Sequence, residues 1–353
     1  MKSRIYLDHA ATTPLLEGAR AALLEGFAAW ANPSSPHAAG REARALLEDA
    51  RARIAAALDW NGQVVLTSGA SEALAIAIGR STGSGVLAGA TEHDAVLRHV
   101  PAPQRLAVDA GGYVLLPDGP GGLAPGTLVA VQHVNSETGV IQPLDAMAEL
   151  IHAAGAHLLA DCSQSAGKLP LPERADMIAL SAHKLGGPIG IGALLVRDLG
   201  LLRPSGGQEQ GYRAGTEAMP LARGFAAALE APRGWLADAA DWRAALDSAI
   251  VKAGGDVVAG GVPRLATIGS YRMPGVSAQA QLIRFDMAGI AVSAGSACSS
   301  GSLRPSHVLA AMGWDESAAS QVIRVSMGHD TKATDIDAFL AQWQAMATGT
   351  RQR

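Results

Sequence analysis

"MIALSAHKLGGPIGIGALLV", Met177 to Val196, sets two apolar runs on either side of a turn that carries a lysine and several glycines. The first run, "MIALSAH" (Met177 to His183), and the second, "IGALLV" (Ile191 to Val196), offer no polar face to water. Near-continuous runs of this kind suit strands covered on both sides, as in mostly parallel sheets packed under helices. The same texture recurs upstream in "VVLTS" (Val64 to Ser68), "VLAGA" (Val86 to Ala90), "LVAVQHV" (Leu128 to Val134) and "AHLLA" (Ala156 to Ala160). Between them lie helical patterns. Over Ala38 to Leu58, for instance, Leu47, Ala50, Ile54 and Leu58 recur at helical spacing. Alternating strands and helices predict an α/β fold.

After "GGQEQGYRAGTEAMP" the texture changes. From about residue 235 the chain reads as helix, then strands near "RLATIGSYR", "IAVSAG" and "VIRVSMG", then a terminal helix. This predicts a second, smaller α+β unit.

The chain has 353 residues, 48% of them apolar and 17% charged, which is the composition of a globular protein. A net charge of −4 gives no electrostatic case for binding nucleic acid or a membrane surface. "MKSRIYLDHAATTP" has no apolar stretch after its basic residues, and no uncharged apolar run reaches membrane-spanning length. A soluble, cytoplasmic protein is expected. Cys162 and Cys298 form no C-x-x-C pair, which fits a reducing compartment. The ten histidines show no metal-ligand spacing, so no metal is expected.

In open parallel sheets, ligands bind beyond the carboxyl ends of the strands. After "VVLT" comes "SGASEALAIAI", where Ser68 to Ser71 lead into a helix whose free N–H groups favour a phosphate or serve as an ordinary cap. Asp161 and Gln164 follow "AHLLA", and His93 follows "VLAGA" in "TEHDAVL". Of five lysines, Lys184 alone directly follows an apolar strand. A desolvated lysine becomes nucleophilic toward aldehydes. One lysine, one aspartate and one helix start at strand ends are what pyridoxal 5'-phosphate (PLP) needs. The lysine holds the aldehyde, the aspartate keeps the ring nitrogen protonated, and the helix start holds the phosphate. Cys298 lies apart, in "VSAGSACSSGS", among small and polar residues that suit a reachable, mobile thiol.

With these pieces in order, the chain resembles the cysteine desulfurases of the class V aminotransferase group, fold-type I PLP enzymes. The stretches that carry the likeness are "YLDHAATTP", "NPSSPHAAG", "LTSGASEA", "TEHDAVL", "HVNSETGVIQPL", "DCSQSAGK", "SAHKLGGPIGIGAL", "GGQEQGYRAGTEA" and "VSAGSACSSGSLRPSHVL". The last resembles the iron–sulfur-cluster-assembly type, with its longer cysteine loop. The resemblance implies a large PLP-binding domain over residues 15–234 with a mostly parallel seven-stranded sheet, and a small domain from residues 1–14 and 235–353.

It further implies that Lys184 binds the aldehyde, Asp161 pairs with the pyridinium nitrogen and Gln164 bonds the ring hydroxyl. His93 stacks on the ring and moves protons. Ala70, Ser71, Ser181 and His183 hold the phosphate, and Thr216 reaches it from the partner subunit of a homodimer. Arg324 grips the substrate carboxylate with Asn32 near that end of the site. Cys298 accepts the sulfur of L-cysteine as a persulfide, for a protein acceptor. Two positions depart from the family's pattern: Ser136 stands for an asparagine that faces the cofactor ring, and Gln210 for an arginine. Another PLP reaction on the same fold, aminotransfer or selenocysteine cleavage, would tolerate loss of Cys298. A non-catalytic homologue is the remaining alternative, motivated by Ser136 and Gln210.

Overall fold

The apolar runs between residues 63 and 196 leave no face for water, and they assemble into one seven-stranded sheet buried on both sides. The computed structural model describes residues 4–29, 31–117, 122–295 and 305–351. In chain order the first elements are β1 (Ile5–Tyr6), α1 (Glu17–Ala28), α2 (Ala38–Ala57), β2 (Gln63–Thr67), α3 (Ala70–Gly79), β3 (Gly85–Gly89) and α4 (Asp94–Leu97). Next come β4 (Arg105–Leu106), β5 (Thr127–Gln132), α5 (Leu144–Ala153), β6 (His157–Asp161), β7 (Met177–Ser181), β8 (Gly192–Val196) and α6 (Met219–Glu230). The C-terminal part holds α7 (Trp235–Lys252), β9 (Asp256–Val257), β10 (Ile268–Arg272), α8 (Ala278–Met287) and β11 (Ile290–Ala291). It ends with α9 (His307–Ala311), α10 (Glu316–Ala319), β12 (Val322–Ser326) and α11 (Ala333–Arg351).

The large sheet has the order β2-β8-β7-β6-β5-β3-β4. Its strands are parallel except β8, which runs antiparallel to both β2 and β7. The reversal follows from the connection: β7 and β8 are joined by a short glycine-rich turn, and a parallel pair would need a longer crossover. Alternation along each strand splits the core in two. Val129 and Val131 of β5 pack with Leu47 of α2, Ile151 of α5 and Phe225 of α6. Leu128 and Ala130 face the other way, toward Leu74 of α3 and Val96 of α4. The helix expected over Ala38 to Leu58 is α2; its start is capped by His37 Nδ1, which accepts from Gly40 N at 3.2 Å.

A third core, with Leu7, Ile250, Tyr271, Phe285, Phe339 and Trp343, lies under the antiparallel sheet β12-β10-β9. There the N-terminus returns to the C-terminal elements, since β1 pairs in parallel with β11. The strand expected through "IAVSAG" is only the two-residue β11. Among the described residues no helix is long and apolar enough to cross a membrane. Residues 8–13, just after β1, run across the carboxyl end of the large sheet, and that crossing builds the site.

Candidate active site

At the end of β7 the chain turns through a single 3-10 turn, Ala182–Lys184, which directs Lys184 back over the strand ends. Its Nζ donates to Ala10 O at 2.5 Å and Ala11 O at 2.8 Å. The turn itself is clamped by Thr13, whose N donates to His183 O at 2.8 Å and whose Oγ1 donates to Lys184 O at 3.2 Å. Burial lowers the Lys184 pKa to about 8; Arg324 pushes the same way, while Asp8 and Asp161 oppose. An amine near neutrality is a nucleophile at physiological pH.

Neighbouring strand ends supply the rest. Asp161 closes β6, paired in register with Gln132 and Ala179. Its Oδ1 accepts from Ser163 N at 2.9 Å and Ser163 Oγ at 2.5 Å, which fixes the carboxylate's orientation. Gln164 Nε2 donates to Ala10 O at 2.9 Å, so this amide and the Lys184 amine share one carbonyl. Gln164 Oε1 and Ser181 Oγ are buried and have no hydrogen-bond partner. His93 caps α4, its Nδ1 accepting from Ala95 N at 3.1 Å, and the residue is exposed. The surrounding protein disfavours the imidazolium, Lys184 adds to this, and Asp161 opposes. His183 Nδ1 lies 3.2 Å from Thr12 Oγ1, and burial with the nearby Lys184 lowers its pKa to about 4.

Ala70 and Ser71 open α3 behind Gly69, a cap residue with no side-chain bond, so the first-turn N–H groups are left for another acceptor. Gly192 makes room for that turn, since a Cβ there would sit 2.7 Å from Gly69 Cα. Gly192 also pairs in register with Ser181 and Thr67, so α3's start lies beside the end of β7.

Arg324, on β12, is nearly buried; Nη2 donates to Asp8 Oδ1 at 2.8 Å and Nη1 to Ser136 O at 3.0 Å, while Nε has no partner. Ser136 thus enters the site through its backbone carbonyl. Asn32 and Thr216 are exposed, and Asn32 Oδ1 is used locally on Ser34 N at 2.9 Å. Gln210 lies at the far end of the sheet, where its Nε2 donates to Gln63 Oε1 at 3.1 Å. Cys298 lies outside the described residues. Cys162 is fully buried, and burial pushes its thiol pKa up, so it is an inert, packed thiol.

Three acids escaped the sequence reading. Asp8 pairs with Arg324. Glu92 is fully buried, with burial raising its carboxyl well above the usual range; its Oε1 accepts from Gln132 N at 2.8 Å and Oε2 has no partner. Glu137 is almost as buried and accepts from Ser306 Oγ. Each lies inside a stretch quoted for the family likeness, and that membership is the only signal the sequence offers.

The aminotransferase class-V family profile matches residues 5–339. The chain belongs to the class-V aminotransferase family. A cysteine desulfurase of Gluconacetobacter diazotrophicus is 36% identical over 365 residues, covering 95% of this chain and 91% of that protein. Among solved structures, a NifS-like protein from Rickettsia africae superposes with a TM-score of 0.85 at 28% identity, covering 97% of this chain and 99% of the other. SspA in complex with cysteine gives 0.78 at 29% identity, covering 92% and 98%.

Class-V aminotransferases of the desulfurase kind depend on PLP, and the residues here fit that group. The orphaned Ser181 Oγ and the open start of α3 suit a phosphate. The orphaned Gln164 Oε1 suits a ring hydroxyl, the oriented Asp161 a ring nitrogen, and the Lys184 amine an aldehyde. Buried polar atoms without partners are costly, and a bound group with matching donors and acceptors would relieve that cost.

Proposed function

We propose that the protein is a PLP-dependent cysteine desulfurase that converts L-cysteine to L-alanine and places the sulfur on Cys298 for handoff to an acceptor. One observation carries the reading: a partly buried lysine amine and a carboxylate-binding arginine meet at the carboxyl end of the large sheet, joined through Asp8 to Ala11, with the amine's pKa lowered to about 8. The names of the relatives point the same way. When bound, PLP supplies the electron sink that acidifies the substrate Cα.

Arg324 receives the substrate carboxylate, for which its unpartnered Nε and the Nη2 now on Asp8 are the available donors. Lys184 Nζ removes the proton from Cα and can return it. His93, whose neutral form is favoured, accepts the Cys298 thiol proton. The Cys298 thiolate then attacks the substrate sulfur. The Cβ–S bond breaks, its electron pair stays with the carbon skeleton, which takes a proton and leaves as alanine, and an S–S bond forms on Cys298. An external thiol later reduces that persulfide to release sulfide.

We assign residues 15–234 to a PLP-binding domain and residues 1–14 with 235–353 to a smaller one. In a homodimer, Thr216 reaches the partner copy's phosphate site and Asn32 the substrate end; the exposure of both supports this. The expected acceptor is a protein, in the cytoplasm. The test is incubation of the PLP-loaded protein with L-cysteine and a thiol reductant. Alanine and sulfide should appear in equal amounts, and without reductant mass spectrometry should find one added sulfur on the Cys298 peptide. Sulfur on Cys162, or no alanine, overturns the reading. Retained alanine formation by Cys298→Ala would favour a different PLP reaction.

A further inference from the structure

We infer that Glu137 is a positioning residue that fixes both ends of the Cys298 segment against the arginine that binds substrate. The inference rests on the desulfurase reading. On the N-terminal side, Gly295 packs directly on the Glu137 carboxyl, and a Cβ there would collide with Oε2. On the C-terminal side, Ser306 Oγ donates to the same Oε2 at 2.5 Å while capping α9 through Leu309 N at 3.1 Å. Both ends of the segment therefore meet at one oxygen.

The backbone of Glu137 is itself held firmly. Glu137 N donates to Asn135 Oδ1 at 2.9 Å, and Glu137 O accepts from Ser270 Oγ of β10 at 2.6 Å. The residue before it, Ser136, gives its carbonyl to Arg324 Nη1 at 3.0 Å. A second tie closes the circuit, because Arg324 N donates to Ser293 O at 2.6 Å and Ser293 N to Arg324 O at 3.1 Å. His307, next after Ser306, has Nε2 2.9 Å from Glu92 O, the residue before His93. The substrate's carboxylate site, the proton acceptor and both roots of the cysteine segment are thus one hydrogen-bonded frame.

A carboxylate buried this deeply is costly, and closing a loop needs only apolar contact. Its place at the junction makes sense if the position of the roots has to be set relative to Arg324. Sulfur transfer needs the two sulfur atoms aligned at short range, and a misplacement of about 1 Å can cost on the order of a hundredfold in rate. Binding of L-cysteine at Arg324 and Lys184 needs no such alignment.

The test separates those two steps in PLP-loaded wild type, Glu137→Ala, Glu137→Gln and Ser306→Ala. Binding is read from the change in cofactor absorbance on adding L-cysteine, and transfer from single-turnover persulfide on Cys298 by mass spectrometry. Glu137→Ala should keep the absorbance change at wild-type cysteine concentrations and slow persulfide formation about tenfold or more. Glu137→Gln keeps an oxygen for Ser306 and should recover most of the rate, while Ser306→Ala should fall between. An unchanged transfer rate in Glu137→Ala overturns the proposal, as does parallel loss of binding and transfer. A Gln variant as slow as Ala also overturns it. Should Glu137→Ala not fold, Ser306→Ala carries the same test with the same two overturning results. Wild type that yields no alanine sinks the desulfurase reading instead.

Discussion

The two ends of the large sheet are built from similar residue types and end up in opposite states. At the carboxyl end, Gln164 Oε1 and Ser181 Oγ are buried without partners, and the lysine, histidines and Glu92 there are all pushed away from their ordinary ionisation. At the amino end the polar groups are paired off. Asp176 Oδ2 accepts from Leu158 N at 2.7 Å and lies 2.9 Å from His152 Nε2. Arg197 Nε donates to Ala175 O at 2.9 Å while its guanidinium stacks over Trp60. Satisfied groups hold strands together; unsatisfied ones at the same sheet wait for a ligand.

The sharpest way to break this contrast is to cut one group at each end. Lys184→Ala should abolish PLP retention and lower alanine formation about ten-thousandfold or more. Asp176→Ala should leave turnover unchanged and cost about 1–2 kcal/mol in urea unfolding, the price of an unpaired Leu158 N–H. Equal losses of activity from the two would erase the distinction.

Ionisation gives the next largest effect. In cofactor-free protein the Lys184 pKa is lowered from 10.5 to about 8, so folding disfavours its charged form. The unfolded state therefore binds more protons between about pH 8 and 10.5, and stability must rise with pH across that window. Below it the penalty is fully present; above it, gone. Against Lys184→Ala, which lacks the group, the wild type should gain about 3 kcal/mol across the window. A flat difference would mean that the amine is solvated and the carboxyl end no more strained than the amino end.

Arg324→Lys probes the same end through substrate. Lysine keeps the charge and loses the planar fork that serves Asp8 and Ser136 O together. The value of kcat/KM for L-cysteine should fall about a hundredfold, mostly through KM, with PLP absorbance intact.

What the sequence reveals follows the same division. Strands β2, β5, β6, β7 and β8 are legible because a run buried on both faces must be apolar throughout, and β3, buried only at its end, carries the same texture. The antiparallel sense of β8 is not, since an apolar run carries no direction. Helix α1 escapes notice because Leu24 and Phe27 are exposed and only Ala19 and Gly26 are buried, which leaves no apolar stripe. Lys184 and Asp161 stand out as charges placed directly after such runs. Asp8 and Glu137 do not, because their meaning depends on partners 316 and 169 positions away. Cys298 is conspicuous by composition alone, and its place falls outside the described residues.

The smallest effect belongs to the quiet end. Gln210 departs from the family's arginine, and its backbone is held at φ +57, beside Glu209 at φ +52. Glu209 has a reason to be there: its buried carboxylate takes Arg51 Nη1 at 2.5 Å and Leu66 N at 2.8 Å. Gln210 has only an exposed amide contact to Gln63. A left-handed backbone at a residue with a Cβ is strained, and glycine relieves it. Gln210→Gly should therefore raise stability by about 0.5–1 kcal/mol, the relief exceeding the added freedom of the unfolded chain and the loss of one exposed hydrogen bond. Turnover should not move, because nothing at that end of the sheet touches Lys184, Asp161 or Arg324. A changed kcat with an unchanged melting temperature would instead tie this position to the chemistry, and the amino end would no longer be the scaffold that the contrast requires.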